Sequence, residues 1–184
     1  LSHSAYTTSF LIQEGASNIF KLSDYLNKVY TSKTPVPDGR NNVVLYNPIK
    51  GIEYTKRLMA SSPEIDFVSI ENMDRNKISE LMHKSKVYID FGFHPGQDRL
   101  PREAVASGCA ILTNKKGSAF FFEDVPLTDE YKFQDFNIEQ IKSKIVDIFD
   151  NFNLHYNRFE RYRMMINNHE KALDSQIKYC FEKI

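Results

Sequence analysis

Apolar residues recur along this chain in two alternating rhythms. Short apolar-rich runs at Val43–Tyr46, Ile65–Ile70, Val87–Phe91 and Ala110–Thr113 suit parallel strands covered on both faces. Between them lie helical spacings. Ile52, Tyr54, Leu58 and Met59 form one buried stripe, with Pro63 marking its end. Asp74 is placed to cap a helix carrying Ile78, Leu81 and Met82. Pro101 opens a short helix of small residues that Gly108 ends. A short strand is expected near 130–134. Asn137 then caps a helix through Ile141, Ile145, Ile148 and Phe149, and the pattern from about Leu154 to Phe181 predicts one long closing helix.

The first third of the chain reads differently. Residues 4–14 predict a short helix with Ser4 as N-cap and Gly15 as stop. Asn18–Leu22 predicts a strand, and Ser23–Leu26 opens a turn or short helix. Residues 31–42 combine Pro35, Pro37 and an Asp38-Gly39 turn with polar neighbours, a linker composition. The expected organisation is residues 1–32 as a helix-plus-strand remnant of a preceding domain, 33–42 as linker, and 43–184 as the main domain. Strands alternating with helices at this rhythm imply an α/β fold, a doubly wound, mostly parallel Rossmann-like sheet with helices on both faces. No internal repeat or low-complexity tract is present.

Composition narrows the function. The 184 residues suit one domain, or one domain plus a fragment of another. Lys plus Arg equals Asp plus Glu at 24 each, so no global field favours nucleic acid or membrane, and any anion site must be local. Cys109 and Cys180 lie far apart without metal-like spacing, which favours a reducing cytoplasm over a disulfide framework. No apolar run is long enough to span a bilayer, and the N-terminus lacks the regions of a signal peptide. The chain begins abruptly at Leu1 without an initiator methionine, as a piece of a larger protein would.

Four loops at strand carboxyl ends carry the candidate chemistry. Lys50-Gly51 follows the 43–46 strand, where a lysine beside a helix N-terminus can hold a phosphate; a solvated lysine at a glycine turn is the alternative. The loop His94–Arg99 follows the 87–91 run. Its polar groups either pair among themselves or face a ligand, and Gly96 permits close backbone approach. Arg102 offers a planar fork to phosphate, and Glu103 could take two hydrogen bonds from a ribose diol; surface ion pairs are the alternative for both. Lys115-Lys116-Gly117-Ser118 combines two cations with exposed amides. No Walker loop or GxGxxG turn is present, and no carboxylate pair has metal spacing. The other histidines, the Phe120–Phe122 run and the basic-aromatic final helix read as structural.

The segment LPREAVASGCAILT resembles the carboxyl-terminal domain of GT-B-fold glycosyltransferases, with Pro101, Glu103, Ala104, Gly108 and Ile111 in corresponding roles. The NPIKG segment, Asn47 to Gly51, is similar to that family's first-strand loop. The resemblance covers roughly residues 43–150. It implies Glu103 on the nucleotide ribose, Lys50 on the diphosphate and Asp98 near the donor sugar, although position 95 is proline where many members carry an acid.

On this reading the chain is the donor-binding domain of a hexosyltransferase-type glycosyltransferase, an incomplete fragment with little activity alone. It would take a nucleotide-diphosphate sugar, with the acceptor handled by a missing amino-terminal domain. Asp98 and Arg99 would act electrostatically. The donor-binding set would be Asn47, Lys50, Gly51, His94, Gly96, Arg102, Glu103, Lys116, Gly117 and Ser118. No cofactor, metal or nucleic acid is expected. The resemblance further implies polysaccharide synthesis in the cytoplasm, with peripheral association at the inner face of the membrane. The rival is a non-catalytic α/β interaction module without nucleotide. A receiver domain would need clustered acids where Asn47-Pro48 stands, and an epimerase would need a glycine-rich first turn.

Overall fold

The computed structural model describes residues 1–183. Its centre is a five-stranded sheet, all parallel, in the order β2-β1-β3-β4-β5. The strands are β1 (Asn41–Tyr46), β2 (Asp66–Ser69), β3 (Ser85–Asp90), β4 (Ala110–Asn114) and β5 (Lys132–Phe133). Val44 pairs with Phe67 on one side and Val87 on the other. Val44, Leu45, Val87, Tyr88, Ile89, Ile111 and Leu112 are all buried, so both faces of the central strands are covered, as their near-unbroken apolar runs require.

The helices follow from local signals. In α1 (Ala5–Gln13) the Ser4 side chain accepts from Thr7 N, and Gly15 leaves the helix at φ +87°. Asp74 caps α4 (Arg75–Lys84) through Lys77 N, and Asn137 caps α6 (Ile138–Asp150) through Gln140 N. The strand order sends β1 to β2 in one direction and β2 to β3 back in the other. With right-handed crossovers this puts α3 (Ile52–Ala60) and α4 on opposite faces. Accordingly α3 packs with α6, while α4 packs with α5 (Arg99–Ala106).

Several expectations are corrected. Asn18–Leu22 forms no strand; a single parallel bridge joins Ser2 to Lys21, and most of the stretch stays outside the core. The next helix is not at Ser23 but at α2 (Lys28–Thr31), where Asn27 caps Val29 N. α5 starts at Arg99 rather than Pro101. Proline fits inside that first turn because its missing N–H has no intrahelical partner there. The closing helix is three pieces, α7 (Phe152–Arg158), α8 (Glu160–Asn167) and α9 (His169–Lys183). The stretch read as linker carries the buried Arg40. Its guanidinium donates to the carbonyls of Met82, Ser85 and Ser107, where α4 and α5 end and a cation is favoured.

The amino-terminal segment is tied to this domain by polar contacts. The buried Asp124 carboxylate accepts from the free amides of Ala5 and Tyr6 at the start of α1. Asp24 pairs with Arg99 and Arg102, and Gln176 bonds Ser23.

Candidate functional site

Strand order dictates where a ligand site belongs. The chain leaves β1 for β2 on one side, and all later strands lie on the other, so the crevice opens between the carboxyl ends of β1 and β3. Two of the candidate loops emerge there. After β1, the Asn47 side chain accepts from Ile49 N and Lys50 N at 2.9 and 3.3 Å, folding the turn that presents Lys50. Gly51 then enters α3 at φ +65°, packed so closely on the Phe91-Gly92 peptide that a Cβ would lie 2.6 Å from it. Only glycine fits both demands.

After β3, the chain forms a buried charged cluster. His94 is 2% exposed and lies between two carboxylates. Its Nδ1 is 2.9 Å from Asp98 Oδ2, and its Nε2 is 3.7 Å from Asp90 Oδ1. The Lys50 ammonium donates to the same Asp98 oxygen. Burial alone would raise the Asp98 carboxyl, but hydrogen bonds from His94 and Lys50 outweigh it and hold it below its ordinary range. Burial dominates at Asp90 and pushes that carboxyl up. Gly92 N and the Tyr88 hydroxyl donate to Asp90.

Asp90, His94 and Asp98 offer one ligand atom each within 4.8 Å of one another. The expectation that no carboxylates come together at metal spacing is thus corrected. Asp90 lay inside an apolar run, and the loop folds it back onto His94. Lys50 already supplies a positive charge on the open side of this cluster, at Asp98.

The fourth loop locks onto the second. Gly117 bridges His94, and Ser118 N donates to the His94 carbonyl at 2.8 Å. A Cβ at Gly117, φ +61°, would meet that carbonyl oxygen at 2.0 Å. The Ser118 hydroxyl donates to the Gly96 carbonyl. Gly96 in turn lies under His3, whose ring occupies the space a Cβ there would need. Asn47, Lys50, Gly51, His94, Gly96, Asp98, Gly117 and Ser118 therefore form one connected rim.

The remaining candidates do not join it. Arg102 is 1% exposed and committed inward, donating to Asp24, to the Gln97 carbonyl and to the Asp98 carbonyl. It braces the loop and offers no free fork to a phosphate. Arg99 points outward and pairs with Asp24. Glu103 lines a separate hollow of about 300 Å³ with Asp24, Asn27, Arg75 and Arg99, which Lys50 does not line. Burial raises the Glu103 carboxyl despite the nearby arginines, and Tyr30 shares a hydrogen bond with it. Lys116 turns away over the Tyr54 ring, 5.3 Å from its centroid. The sequence reading missed Asp90, Asp24 and Tyr54. An acid closing an apolar strand was a usable signal for Asp90; nothing local marked the other two.

No protein-family model matches the chain, and no curated protein matches it. Solved structures do. HepE from Anabaena, determined with UDP and glucose, is 12% identical with a TM-score of 0.73 over 100% of this chain and 62% of its own. TarM from S. aureus, determined as a mutant with fondaparinux, α-GlcNAc-glycerol and UDP, is 14% identical with a TM-score of 0.70 over 98% and 42%. Sucrose-phosphate synthase from Thermosynechococcus elongatus is 14% identical with a TM-score of 0.70 over 99% and 57%. The chain thus spans 42 to 62% of the length of these proteins. At such identities the likeness is one of fold: the chain shares an all-parallel, Rossmann-like α/β fold with these proteins.

Proposed function

We propose that this chain is the donor-binding domain of a hexosyltransferase-type glycosyltransferase and holds the diphosphate of a nucleotide sugar in the β1–β3 crevice. One observation carries this reading: Lys50, at the start of α3, meets the N-terminus of α5 at Asp98. A lysine and two helix starts converge where the sheet topology opens its crevice, and each favours an anion. That two structural neighbours were determined with UDP supports it.

In the reaction, an acceptor hydroxyl oxygen bonds the anomeric carbon and gives up its proton to a base on the acceptor side, while the bond from that carbon to the diphosphate oxygen breaks and the diphosphate leaves with the electron pair. Lys50 neutralises the charge that develops on it. His94 and Lys50 share one Asp98 oxygen, so the diphosphate takes the ammonium from a carboxylate that His94 already satisfies. Arg99 adds positive charge at the edge, and Glu103 serves the ribose from its own hollow. The acceptor would be a glycan or lipid-linked glycan held by an amino-terminal domain, of which residues 1–32 are the remnant and 33–42 the connection. Among the described residues no helix is long and apolar enough to cross a membrane. Cytoplasmic polysaccharide synthesis, with peripheral attachment of the full-length enzyme to the inner face of the membrane, completes the proposal.

Calorimetric titration of the intact chain with UDP and with GDP tests this reading. Saturable binding that Lys50→Ala weakens is expected. No heat at millimolar nucleotide in a folded sample would favour an interaction module without nucleotide.

A further inference from the structure

Two hollows flank Lys50, on opposite faces of the sheet. The Glu103 hollow belongs to the α4/α5 face, through Arg75, Arg99 and Glu103. The other, also of about 300 Å³, belongs to the α3/α6 face. Tyr54 of α3 and Phe136, just before α6, wall it with ring centroids 4.9 Å apart, and Phe91 packs edge-on to Phe136. Asn114 lines it, is 7% exposed, and commits its Nδ2 to the Phe91 carbonyl. That leaves Oδ1 able only to accept, and this buried oxygen has no partner. The exposed Lys116 and Asp135 complete the lining with one charge of each sign.

We propose that this second hollow receives one sugar ring of the acceptor glycan, the rest of which the amino-terminal domain holds. The proposal rests on the reading that the diphosphate lies at Lys50 and the ribose at Glu103. On that reading the nucleotide leaves Lys50 toward the α4/α5 face, and the α3/α6 face is free for the acceptor. A pyranose can lay its C–H face on an aromatic ring, and each of its hydroxyls both donates and accepts. They donate to Asn114 Oδ1 and Asp135, and accept from the Lys116 ammonium, which stands 5.3 Å over the Tyr54 ring. A hydroxyl on Asn114 Oδ1 recovers the free energy that an unpaired buried acceptor costs. An alkyl chain would leave that oxygen orphaned, and the Asp135 carboxylate turns a phosphate away.

The spacing suits a donor and an acceptor side by side. Tyr54 stands four residues after Lys50, about one helical turn or ~5.4 Å, roughly the width of one hexose. The donor hexose fills that interval, and the acceptor ring lies beyond it. Gly51 packs on the Phe91-Gly92 peptide, whose carbonyl also holds Asn114, so both subsites share one support.

The experiment titrates the isotope-labelled, UDP-saturated chain with methyl β-glucoside and with methyl N-acetyl-β-glucosaminide, reading the Tyr54 ring and the Asn114 side-chain amide by NMR. At least one glycoside should give saturable shifts there in the millimolar range, and UDP-glucose in place of UDP should not displace it. Tyr54→Ala and the exposed Asp135→Ala, each confirmed folded by thermal melts, should weaken the glycoside about fivefold. If UDP binds and neither glycoside moves these signals, the acceptor assignment is overturned and the diphosphate assignment stands. Displacement of the glycoside by UDP-glucose would overturn it too, because the hollow would then hold the donor's own sugar. If UDP does not bind, the diphosphate assignment fails and this one with it.

Discussion

One oxygen of Asp98 receives both the Lys50 ammonium and the His94 ring, the latter with Nδ1 at 2.9 Å. The cation most suited to a diphosphate is therefore held by a carboxylate that competes for it. Lys50→Ala should weaken UDP binding about 10- to 100-fold, the worth of a charge-assisted contact at roughly 1.5–3 kcal/mol. Asp98→Asn should do the opposite, tightening UDP several-fold by releasing Lys50. Calorimetry on both variants checks the pair, and weaker binding by Asp98→Asn would mean the carboxylate positions the lysine for its ligand.

The same contacts set an acid limit on stability. The Asp98 carboxyl is held below its unfolded value of 3.8, so its contribution is complete above that pH. It is lost as pH falls through the lower folded value. Melts of wild type below pH 4 should drop more steeply than those of Asp98→Asn.

His169 works in a milder range. Burial, aided by the neighbouring Arg102, lowers this imidazole from 6.5 to about 4. The unfolded chain therefore binds a proton between those values that the folded chain refuses, and stability falls as pH falls from 6.5 to about 4. Discounted for its remaining contact with solvent, the effect is roughly 2 kcal/mol. Denaturant titrations of wild type and His169→Gln across that window should diverge, with the variant flatter.

Caps and strand runs were legible because they are local. Ser4, Asp74 and Asn137 each accept the amide that their side-chain chemistry predicts. The breaks in the closing helix were not legible. The buried positions Phe152, His155, Phe159, Tyr162 and Ile166 keep helical spacing straight through the turn at Phe159, so the pattern carries no mark of it. Lys50, His94, Asp98 and Gly117 could be read as loop residues at strand ends. That Arg102 faces inward could not, because its partner Asp24 is 78 residues away.

That inward orientation makes Arg102 a stability residue. Arg102→Ala empties a fully buried site and takes the donor from the Asp98, Asp24 and Gln97 carbonyls, so chemical denaturation should show a loss of roughly 1–3 kcal/mol for each acceptor left unsatisfied. Arg99→Ala, at an exposed pair with the same Asp24, should cost under about 1 kcal/mol.

Gly51 should tolerate nothing larger. A methyl group there meets the Phe91-Gly92 peptide and demands a left-handed conformation, so Gly51→Ala should destabilise by about 2–4 kcal/mol. The same change should move Lys50 and weaken UDP binding in whatever fraction stays folded.

The central claim is that a diphosphate sits between the ends of β1 and β3. Amide chemical-shift mapping of the isotope-labelled chain during a UDP titration tests it most directly. Saturable shifts are predicted at Gly51 and Ile52 and from Gly92 to Arg99, the amides that flank Lys50 and begin α5. Shifts confined to other parts of the molecule, or none at millimolar UDP, would contradict it.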